Sequence, residues 1–350
     1  MDHEIVGVFA SSELCVEPAG VVADLHRLPG VGLRASKVCR NKLLQRHYLR
    51  AWSPPSVPAR AGEHDAVAEA LDHRFPVVAK PLNLYCSIGV QVLADLEALE
   101  AHLAALGPGD SVLVEEYVTG RELSVESIVA AGETAFSSVT QKATNEHDGD
   151  YFVEMGHTVP AGNVSDDEAD RILAVHRDIT ERLELGTGMT HGEYRIRDDG
   201  TVVLMEIAAR PPGDGLLQLY HLATGASIEA AMVAAALGGP VSYPQPVRWA
   251  RQVYFEHDAG SLLDVSSRVP GGPPPSWVVE DGLWPVATPA GPGAPPGLRH
   301  LLVLKDRGAP LGPITDSFGR AVTALFDAPT PADLDAFELV VRAGVDVTTG

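Results

Sequence analysis

The chain has 350 residues, with 45% hydrophobic and 21% charged side chains and a formal net charge of −21 at pH 7. This length and composition indicate a globular protein large enough for two or three subdomains. The acidic balance argues against nucleic acid and anionic membranes as partners, because both are negatively charged. The sequence has neither the pattern of a signal peptide nor a segment long enough to span a membrane, so we expect a cytoplasmic protein.

The predicted elements form an irregular succession of strands and helices. In chain order they are a buried strand at 4–10, helices at 17–28, 36–51 and 66–73, strands at 76–80 and 89–94, a helix at 95–106, strands at 111–118, 121–130 and 133–142, a loop at 145–162, a helix at 166–185, a hairpin from 191, a helical stretch at 216–237, and a last helix at 331–343 before a short strand. Strand 121–130 is expected to lie beside strand 111–118. This order predicts an α+β or mixed α/β chain built from several small sheets.

The hairpin, within residues 191–214, carries the most informative pattern. An Asp199-Gly200 pair predicts a tight two-residue turn, and the resulting register places Glu193 opposite Glu206. Side chains that face each other on antiparallel strands have Cβ atoms roughly 4.5–5.5 Å apart. Two carboxylates at that spacing repel each other unless a cation lies between them, and all-oxygen ligands suit Mg²⁺. The pair therefore predicts a metal site.

An arginine extends this pattern on the same strand. Arg210 follows Glu206 by four residues, so in a continued strand both side chains point to one face. A pair of metal-binding carboxylates beside an arginine is the outline of a phosphate site. The alternative is a solvated hairpin face, but the neighbouring positions 203–205 and 207 are apolar and indicate a buried strand, where unpaired carboxylates are costly.

Further charged residues precede the hairpin. Lys80 ends a predicted buried strand before a loop, where a lysine can meet phosphates. Glu115 and Glu116 point to opposite faces of one strand, so both cannot be buried, and a hinge there could offer backbone groups to an adenine. Glu122 begins the next strand, and Lys142 ends the one after it. Each residue alone is more often simply solvated, but their order favours a nucleotide site.

With these motifs the chain resembles the ATP-grasp superfamily, in particular its carboxylate–amine ligases and most closely the bacterial L-amino-acid ligases that make dipeptides. The resemblance runs from about Ile5 to Asp214 and is weaker beyond. It implies an α+β (mixed α/β) ATP-grasp fold, with two α+β lobes gripping ATP and a truncated N-terminal α/β domain. The implied divisions are a remnant of that domain at 1–36, an ATP-grasp core at 37–245 with a lid at about 75–118, and a C-terminal subdomain at 246–350.

The resemblance also assigns roles to side chains that bind ATP and Mg²⁺. The phosphate lysines are Lys42, Lys80 and Lys142; the covering loop is 82–89 with Ser87; the adenine hinge contains Glu115, Glu116 and Val118; the ribose ligand is Glu122; the Mg²⁺ ligands are Glu193 and Glu206; and Arg210 steadies the transferred phosphoryl group. Lys142 and Arg210 are the expected catalytic pair. The loop is poorer in glycine than the family pattern. Ala208 stands where the family often has an asparagine, which removes one protein ligand of the metal.

Substrate positions follow from the same resemblance. Glu13, Glu154 and His157 match residues that hold an amino-acid substrate, and Gly213 and Asp214 flank the acceptor pocket. An aspartate there would prefer a cationic or hydrogen-bonding group. The alternative for His157 is a loop histidine bonded to the backbone.

The implied reaction is ATP-dependent amide formation between a small-molecule carboxylate and an amine, through an acyl phosphate, in the biosynthesis of peptide-like products such as antibiotics. A second copy of the chain or another partner is expected to cover the shortened N-terminal region. Two alternatives stay open. One is a ligase with a thiol or other acceptor. The other is a non-catalytic ATP-binding regulatory subunit, which Ala208 and the glycine-poor loop favour and the intact set of lysines, glutamates and arginine disfavours.

Overall fold

The computed structural model describes residues 4–146, 151–282 and 284–350. Within these ranges the helices are α1 (Val16–His26), α2 (Leu33–Cys39), α3 (Lys42–Tyr48), α4 (His64–Ala70), α5 (Leu96–Ala104), α6 (Asp166–Arg182), α7 (Leu216–Thr224), α8 (Ile228–Ala236), α9 (Val278–Asp281) and α10 (Pro331–Gly344). The strands are β1 (Ser56–Ala59), β2 (Val77–Pro81), β3 (Gln91–Leu93), β4 (Val112–Glu116), β5 (Arg121–Ala130), β6 (Glu133–Thr144), β7 (Glu154–Val159), β8 (Gly188–Ile196), β9 (Val202–Ala208), β10 (Trp249–Tyr254), β11 (Gly260–Ser267), β12 (Ser276–Trp277), β13 (Gly297–Val303), β14 (Pro310–Leu311), β15 (Val322–Ala328) and β16 (Val345–Thr349). The predicted mixture of helices and several sheets is confirmed.

A small sheet forms the first lobe. Its four strands run in the order β1-β4-β2-β3, and each neighbouring pair is antiparallel. Helices α4 and α5 cover it and bury Val67, Leu99 and Leu103 against Val77 and Val114. The lobe therefore has a hydrophobic core of its own.

A large sheet of nine strands forms the second lobe, in the order β12-β13-β15-β10-β7-β6-β5-β8-β9. Side chains alternate between its two faces along β5. Leu123 and Val125 pack with Ile172 and Ile179 of α6, while Glu122 and Glu126 point to the other face. This alternation lets one strand contribute both to a hydrophobic core and to a charged cleft.

The predicted strand at 4–10 is wrong. These residues form no strand, and the side chains of Ile5, Val6 and Phe9 are exposed. The segment passes the end of α8, where Gly7 lies close to the carbonyl of Ala236, and no strand runs alongside to share its backbone hydrogen bonds. The partner expected over this region stays a prediction.

The predicted pairing of strands 111–118 and 121–130 is also wrong. They are β4 and β5, and they belong to different sheets. Gly120 has φ +127°, and a Cβ there would lie 2.2 Å from the carbonyl oxygen of Ile196. Only glycine permits this close approach, and the chain crosses here from the small sheet to the large one.

Two further predictions are wrong, one because it depends on long-range pairing and the other because of a local helix cap. The predicted loop 145–162 contains β7, which pairs with β6 and with the distant β10; its residues 147–150 lie outside the described residues. The predicted helix 36–51 is two helices, because the side chain of Asn41 accepts a hydrogen bond from the backbone of Leu44 at 3.0 Å and caps a new start.

The C-terminal region is joined to the core. Strands β10, β12, β13 and β15 extend the large sheet, so the predicted boundary near residue 245 falls inside one continuous sheet. The other strands that follow residue 245 form the small sheet β14-β11-β16. The predicted domain limits stay a prediction. Within the described parts of the chain, no helix combines the length and apolar character needed to cross a membrane.

Asp327, on β15, is fully buried between two arginines. Its Oδ2 lies 3.2 Å from Nε of Arg248, and its Oδ1 lies 2.8 Å from Nη2 of Arg299. Nη1 of Arg248 also donates to three carbonyls between Gly291 and Ala294, at 2.8–2.9 Å. The cluster fixes the Pro/Gly-rich stretch to the large sheet.

We expect Asp327→Asn to lower the thermal unfolding temperature clearly. The change leaves two guanidinium groups without their counter-charge, and breaking a buried pair costs about 3–5 kcal/mol. Asp346→Asn is the matched control, because Asp346 pairs with Arg268 at the surface, where a bridge contributes about 0–1 kcal/mol. Equal melting temperatures for both variants, measured by calorimetry, would contradict this role.

Candidate functional site

One cleft is lined by strands of both sheets and by loops between them. Most of the residues predicted to act at a nucleotide or substrate site line it: Lys42, Lys80, Ser87, Glu116, Val118, Glu122, Lys142, Glu154, His157, Glu193, Glu206, Arg210, Gly213 and Asp214. Glu13 and Glu115 do not. Positions far apart in the sequence are thus brought to one place, and the two exceptions are described below.

The opposed carboxylates lie where the hairpin pattern placed them. Glu193 and Glu206 are direct partners on β8 and β9. The predicted two-residue turn is wrong, because the backbone N–H of Arg197 bonds the carbonyl of Thr201 at 3.0 Å and closes a longer turn. That turn shifts the register by one residue, and a bulge at Met205 shifts it back. Two departures from the prediction therefore cancel at the pair that matters.

Lys142 lies at the centre of three carboxylates. Its Nζ is 2.8 Å from Glu193, 2.9 Å from Glu122 and 3.3 Å from Glu154. Burial alone would lower the pKa of Lys142, but the three carboxylates outweigh it and hold the pKa well above its usual value. Burial raises the pKa of Glu193, and the charges of Lys142 and His191 more than reverse this. Lys142 and Glu193 are therefore charged at neutral pH.

A second lysine holds the other hairpin carboxylate. Nζ of Lys42 lies 3.1 Å from Oε1 of Glu206 and 2.7 Å from the carbonyl oxygen of Leu84. Each of the opposed glutamates thus has an ammonium group beside it. These ammonium groups offset the repulsion between the carboxylates.

The carboxylates of the cleft suit a Mg²⁺ ion that binds together with phosphates. Lys142 and its three carboxylates carry a net charge of −2 (one positive against three negative groups). Among the described residues no group of three or more His, Cys, Asp or Glu side chains forms a ready-made metal site. Mg²⁺ in phosphoryl-transfer sites usually takes one or two carboxylates and completes its shell with phosphate oxygens and water. Glu193 and Glu206 would supply those carboxylates, and Ala208 adds no ligand.

Glu115 is fully buried and holds Lys80. Its Oε2 lies 2.7 Å from Nζ of Lys80 and 3.2 Å from Nη2 of Arg46. Arg46 also donates to the carbonyl of Met205 at 2.6 Å. Burial would raise the pKa of Glu115, but Arg46 and Lys80 outweigh it and lower the pKa to about 2. The carboxylate thus faces a lysine of the cleft and does not line the cleft itself.

The pattern around the hairpin missed Arg195. It faces Glu122 across β8 and β5, and its Nη2 lies 2.8 Å from Glu122 and 2.7 Å from Glu146. Its Nη1 donates to the carbonyl of Val118 at 2.7 Å. Arg195 follows Glu193 by two residues, so the strand period alone could have placed both on one face. Glu122 is consequently fixed between Arg195 and Lys142.

His191 and Glu126 form a buried pair beneath the cleft. Nδ1 of His191 lies 2.7 Å from Glu126, and its Nε2 lies 3.3 Å from Glu193. Glu126 also accepts hydrogen bonds from Ser124 at 2.8 Å and Tyr220 at 2.9 Å. Burial would lower the pKa of His191, but Glu126 and Glu193 outweigh it and raise the pKa to about 9. This cation adds a third positive group beside the opposed carboxylates.

The cleft contains a second ionic cluster, on the strand next to the one that carries Lys142. Nε2 of His157 lies 2.9 Å from Oδ2 of Asp214. Arg320 binds both carboxylate oxygens of Asp214, at 2.7 and 3.0 Å, and donates to the carbonyl of Glu154 at 2.9 Å. Burial would raise the pKa of Asp214, but His157 and Arg320 outweigh it and lower the pKa. Asp214, expected to attract a cationic group, already has its counter-charge.

Arg320 had no local signal in the sequence. It lies between a short turn and β15, more than 100 residues after Asp214, and only the closing of the large sheet brings the two together. His157 lies on β7, and the side-chain atom it contacts belongs to a carboxylate. The alternative of a loop histidine bonded to the backbone is therefore wrong for its Nε2.

The loop at 82–89 rests on the large-sheet side of the cleft. Ser87 donates from its hydroxyl to the carbonyl of Phe152 at 2.9 Å, and the carbonyl of Cys86 accepts from the backbone of Ser317 at 3.3 Å. Cys86 and Ser87 both have φ +58°, a region that glycine enters more easily. The loop thus reaches across the cleft despite its few glycines.

Comparison with known proteins agrees with this arrangement. Residues 73–217 match the sequence model of a family described as ATP-grasp domain. D-alanine–D-alanine ligase of Acidiphilium cryptum is 30% identical over 186 residues, which cover 51% of this chain and 60% of that protein. Dapdiamide A synthase of Enterobacter agglomerans is 28% identical over 223 residues, 60% of this chain and 52% of that protein. The chain spans about half the length of the curated relatives it matches.

The fold was compared with solved structures as well. An L-amino acid ligase from Bacillus licheniformis superposes with a TM-score of 0.76 at 19% identity, and the match covers 99% of this chain and 81% of that chain. At this identity the likeness is one of fold. The resemblance inferred from the sequence is confirmed: the chain contains an ATP-grasp domain and has the ATP-grasp fold.

Proposed function

We propose that the protein is an ATP-dependent carboxylate–amine ligase that joins two amino-acid-derived substrates. One observation carries the proposal: an opposed pair of glutamates, each beside a lysine, shares a cleft with Arg210 and with a second ionic cluster. The first group suits a magnesium nucleotide, and the second suits a small zwitterion. An ATP-grasp domain implies ATP and Mg²⁺ as cofactors.

The nucleotide end offers positive charge on several sides. Lys42, Lys80 and Lys142 would meet phosphate oxygens, while Arg210 would meet the transferred phosphoryl group. Bound Mg²⁺ would offset charge on the phosphoryl oxygens as it is transferred. The buried Glu115 fixes the ammonium group of Lys80 beforehand, so little ordering is left for the moment of binding.

The substrate end has one carboxylate whose contacts are long. Glu154 lies 3.3 Å from Lys142 and 3.4 Å from the hydroxyl of Ser317, whereas Asp214 is bound tightly by His157 and Arg320. Glu154 is therefore the acidic group best able to accept a substrate ammonium. This supports an amino acid as one of the two substrates.

The reaction needs no protein nucleophile. An oxygen of the substrate carboxylate attacks the γ-phosphorus of ATP, and the bond to the β-phosphate oxygen breaks to release ADP. The substrate amine then attacks the acyl carbon, the carbon–oxygen bond to the phosphate breaks, and the amine loses a proton. The products are an amide, ADP and phosphate. Closure of loop 82–89 would keep water away from the acyl phosphate.

The relatives support a dipeptide-like product, since dapdiamide A synthase and an alanine–anticapsin ligase of Bacillus subtilis are among them. A thiol or other acceptor is the alternative within ligases. A non-catalytic nucleotide-binding protein is the alternative from another class, and Ala208 favours it. Against it stand the complete set of lysines and opposed glutamates and the second ionic cluster beside them. A protein that only senses ATP has no need of this second cluster, which suits a zwitterion.

A matrix of amino acids, amines and thiols tests the proposal. Each pair is incubated with the protein, ATP and Mg²⁺, ADP is measured, and products are identified by mass. We expect ADP formation that depends on an amino acid and yields an amide. Thioester products would favour the thiol acceptor, and nucleotide binding without ADP formation for any pair would favour the non-catalytic alternative.

We expect Glu193→Gln and Glu206→Gln each to abolish ligation, because each removes a carboxylate from the only opposed pair that the hairpin presents to the cleft. Glu133→Gln, at the exposed start of β6, is the matched control. ADP formation is measured across a range of Mg²⁺ concentrations. Turnover near that of the parent in either hairpin variant would remove the metal assignment.

We expect Lys80→Ala to weaken binding of a non-hydrolysable ATP analogue by about one to two orders of magnitude, which corresponds to roughly 1.4–2.8 kcal/mol. The ammonium group lies in the cleft and is fixed by a buried partner, so its loss is not made up by other cations. Lys305→Ala is the control, because Lys305 does not line the cleft. Calorimetric titration of both variants decides, and equal affinities would exclude the phosphate role.

We expect Glu154→Ala and His157→Ala to raise KM for one amino-acid substrate by about 10- to 100-fold while KM for ATP changes little. The reason is that His157 and the backbone of Glu154 belong to the cluster with Asp214 and Arg320, while Lys42 and Lys80 remain to bind the phosphates. If they only brace the sheet, the variants lose thermal stability and keep both constants. Measuring KM and melting temperature on the same preparations separates the two roles.

A further inference from the structure

Glu13 occupies an unexpected place. It begins a short turn ahead of α1, and its side chain is buried. Its Oε1 accepts a hydrogen bond from Nη1 of Arg40 at 2.5 Å, and its Oε2 accepts one from Nε of Arg210 at 2.6 Å. Burial would raise the pKa of Glu13, but Arg210 and Arg40 outweigh it and lower the pKa. Each carboxylate oxygen therefore has a cationic partner.

This arrangement disagrees with the substrate role expected for Glu13. A residue that holds a substrate ammonium must present a carboxylate to the cleft, and Glu13 does not line the cleft. Arg210 does line it. Together Glu13, Arg40 and Arg210 carry a net charge of +1 (two positive against one negative group), which suits an anion and not an ammonium.

The contacts of Arg210 leave part of its guanidinium group for a ligand. Its Nε is bound to Glu13, and its Nη1 donates to the carbonyl of Pro211 at 2.8 Å. Within the described residues its Nη2 has no hydrogen-bond partner. A guanidinium group held at two of its three nitrogens keeps its plane fixed and leaves the third nitrogen for a ligand. Arg40, at the end of α2, holds Glu13 in turn.

We propose that Glu13, braced by Arg40, is a positioning residue that fixes the guanidinium of Arg210 for the transferred phosphoryl group and does not contact the substrate ammonium. The inference rests on the proposed function in one respect, the role of Arg210 towards phosphate. In this role, the N-terminal segment helps to position a side chain at the nucleotide end of the cleft. The segment supplies one carboxylate, and that carboxylate orients an arginine that follows β9.

A double-mutant cycle tests this. Glu13→Gln, Arg210→Lys and the double variant are titrated with a non-hydrolysable ATP analogue and with ADP, both with Mg²⁺. If Glu13 acts through Arg210, each single variant lowers the preference for the ATP analogue over ADP, and the double variant is no worse than Arg210→Lys alone. Effects that multiply in the double variant would overturn the proposal.

Kinetics provide a second readout. We expect Glu13→Gln to lower kcat by about 10- to 100-fold, the order of loss that follows a small misplacement of a catalytic group, with KM for the amino acid nearly unchanged and partial rescue by Glu13→Asp. A raised amino-acid KM with kcat preserved would show a substrate contact and overturn the proposal. Unchanged kinetics with a lower melting temperature would show a purely structural pair and overturn it too.

Matched variants keep the test decisive. Glu17→Gln is the control, because Glu17 pairs with Lys37 in the same N-terminal region but at the surface. If Glu13→Gln does not fold, Arg40→Gln probes the same brace, with a smaller loss of kcat expected and an unchanged kcat contradicting the proposal. A parent without amino-acid-dependent ADP formation would refute the proposed function, while the nucleotide titrations would still decide the role of Glu13.

Discussion

The repulsion between two carboxylates shapes this cleft. Glu193 and Glu206 face each other across a pair of antiparallel strands, and the other residues of these two strands are largely buried. Like charges at that spacing destabilise a sheet unless cations lie near. Lys142, Lys42 and His191 are placed where they provide that charge. Much of the polar architecture around the hairpin offsets the repulsion between these two groups.

The same principle accounts for the residues behind the cleft. Glu122 is fixed by Arg195, His191 by Glu126, and Lys80 by Glu115. Each of these three cleft residues is thus held by a buried group of opposite charge. Buried charges are costly unless they are paired and hydrogen-bonded, so the pairs fix side-chain directions before any ligand arrives. The cleft is pre-organised by its own electrostatics.

The sequence predicted what depends on neighbours along the chain. The opposed glutamates followed from strand period and a turn signal, and the lysines at strand ends followed from the same reading. The predicted two-residue turn is wrong, and a bulge at Met205 restores the register. Residue propensities do not reveal such a bulge. Strand β7 and the pairing of Arg320 with Asp214 depend on contacts across 90 to 110 residues, for which a single sequence has no signal. Glu13 was placed near the substrate by resemblance, and only its two arginine partners suggest another task.

The triad of Arg46, Glu115 and Lys80 has a mechanical consequence. Arg46 binds Glu115 of the small sheet and the carbonyl of Met205 on the large sheet, so one guanidinium group bridges the two lobes. Glu115 is fully buried, and separating such a pair costs about 3–5 kcal/mol. Opening of the cleft is therefore cheaper as a rotation about this bridge than as a withdrawal of the whole lobe. A rotation of this kind would keep the buried pair intact and would need only the weaker contacts of the loop that carries Ser87, with Phe152 and Ser317, to break.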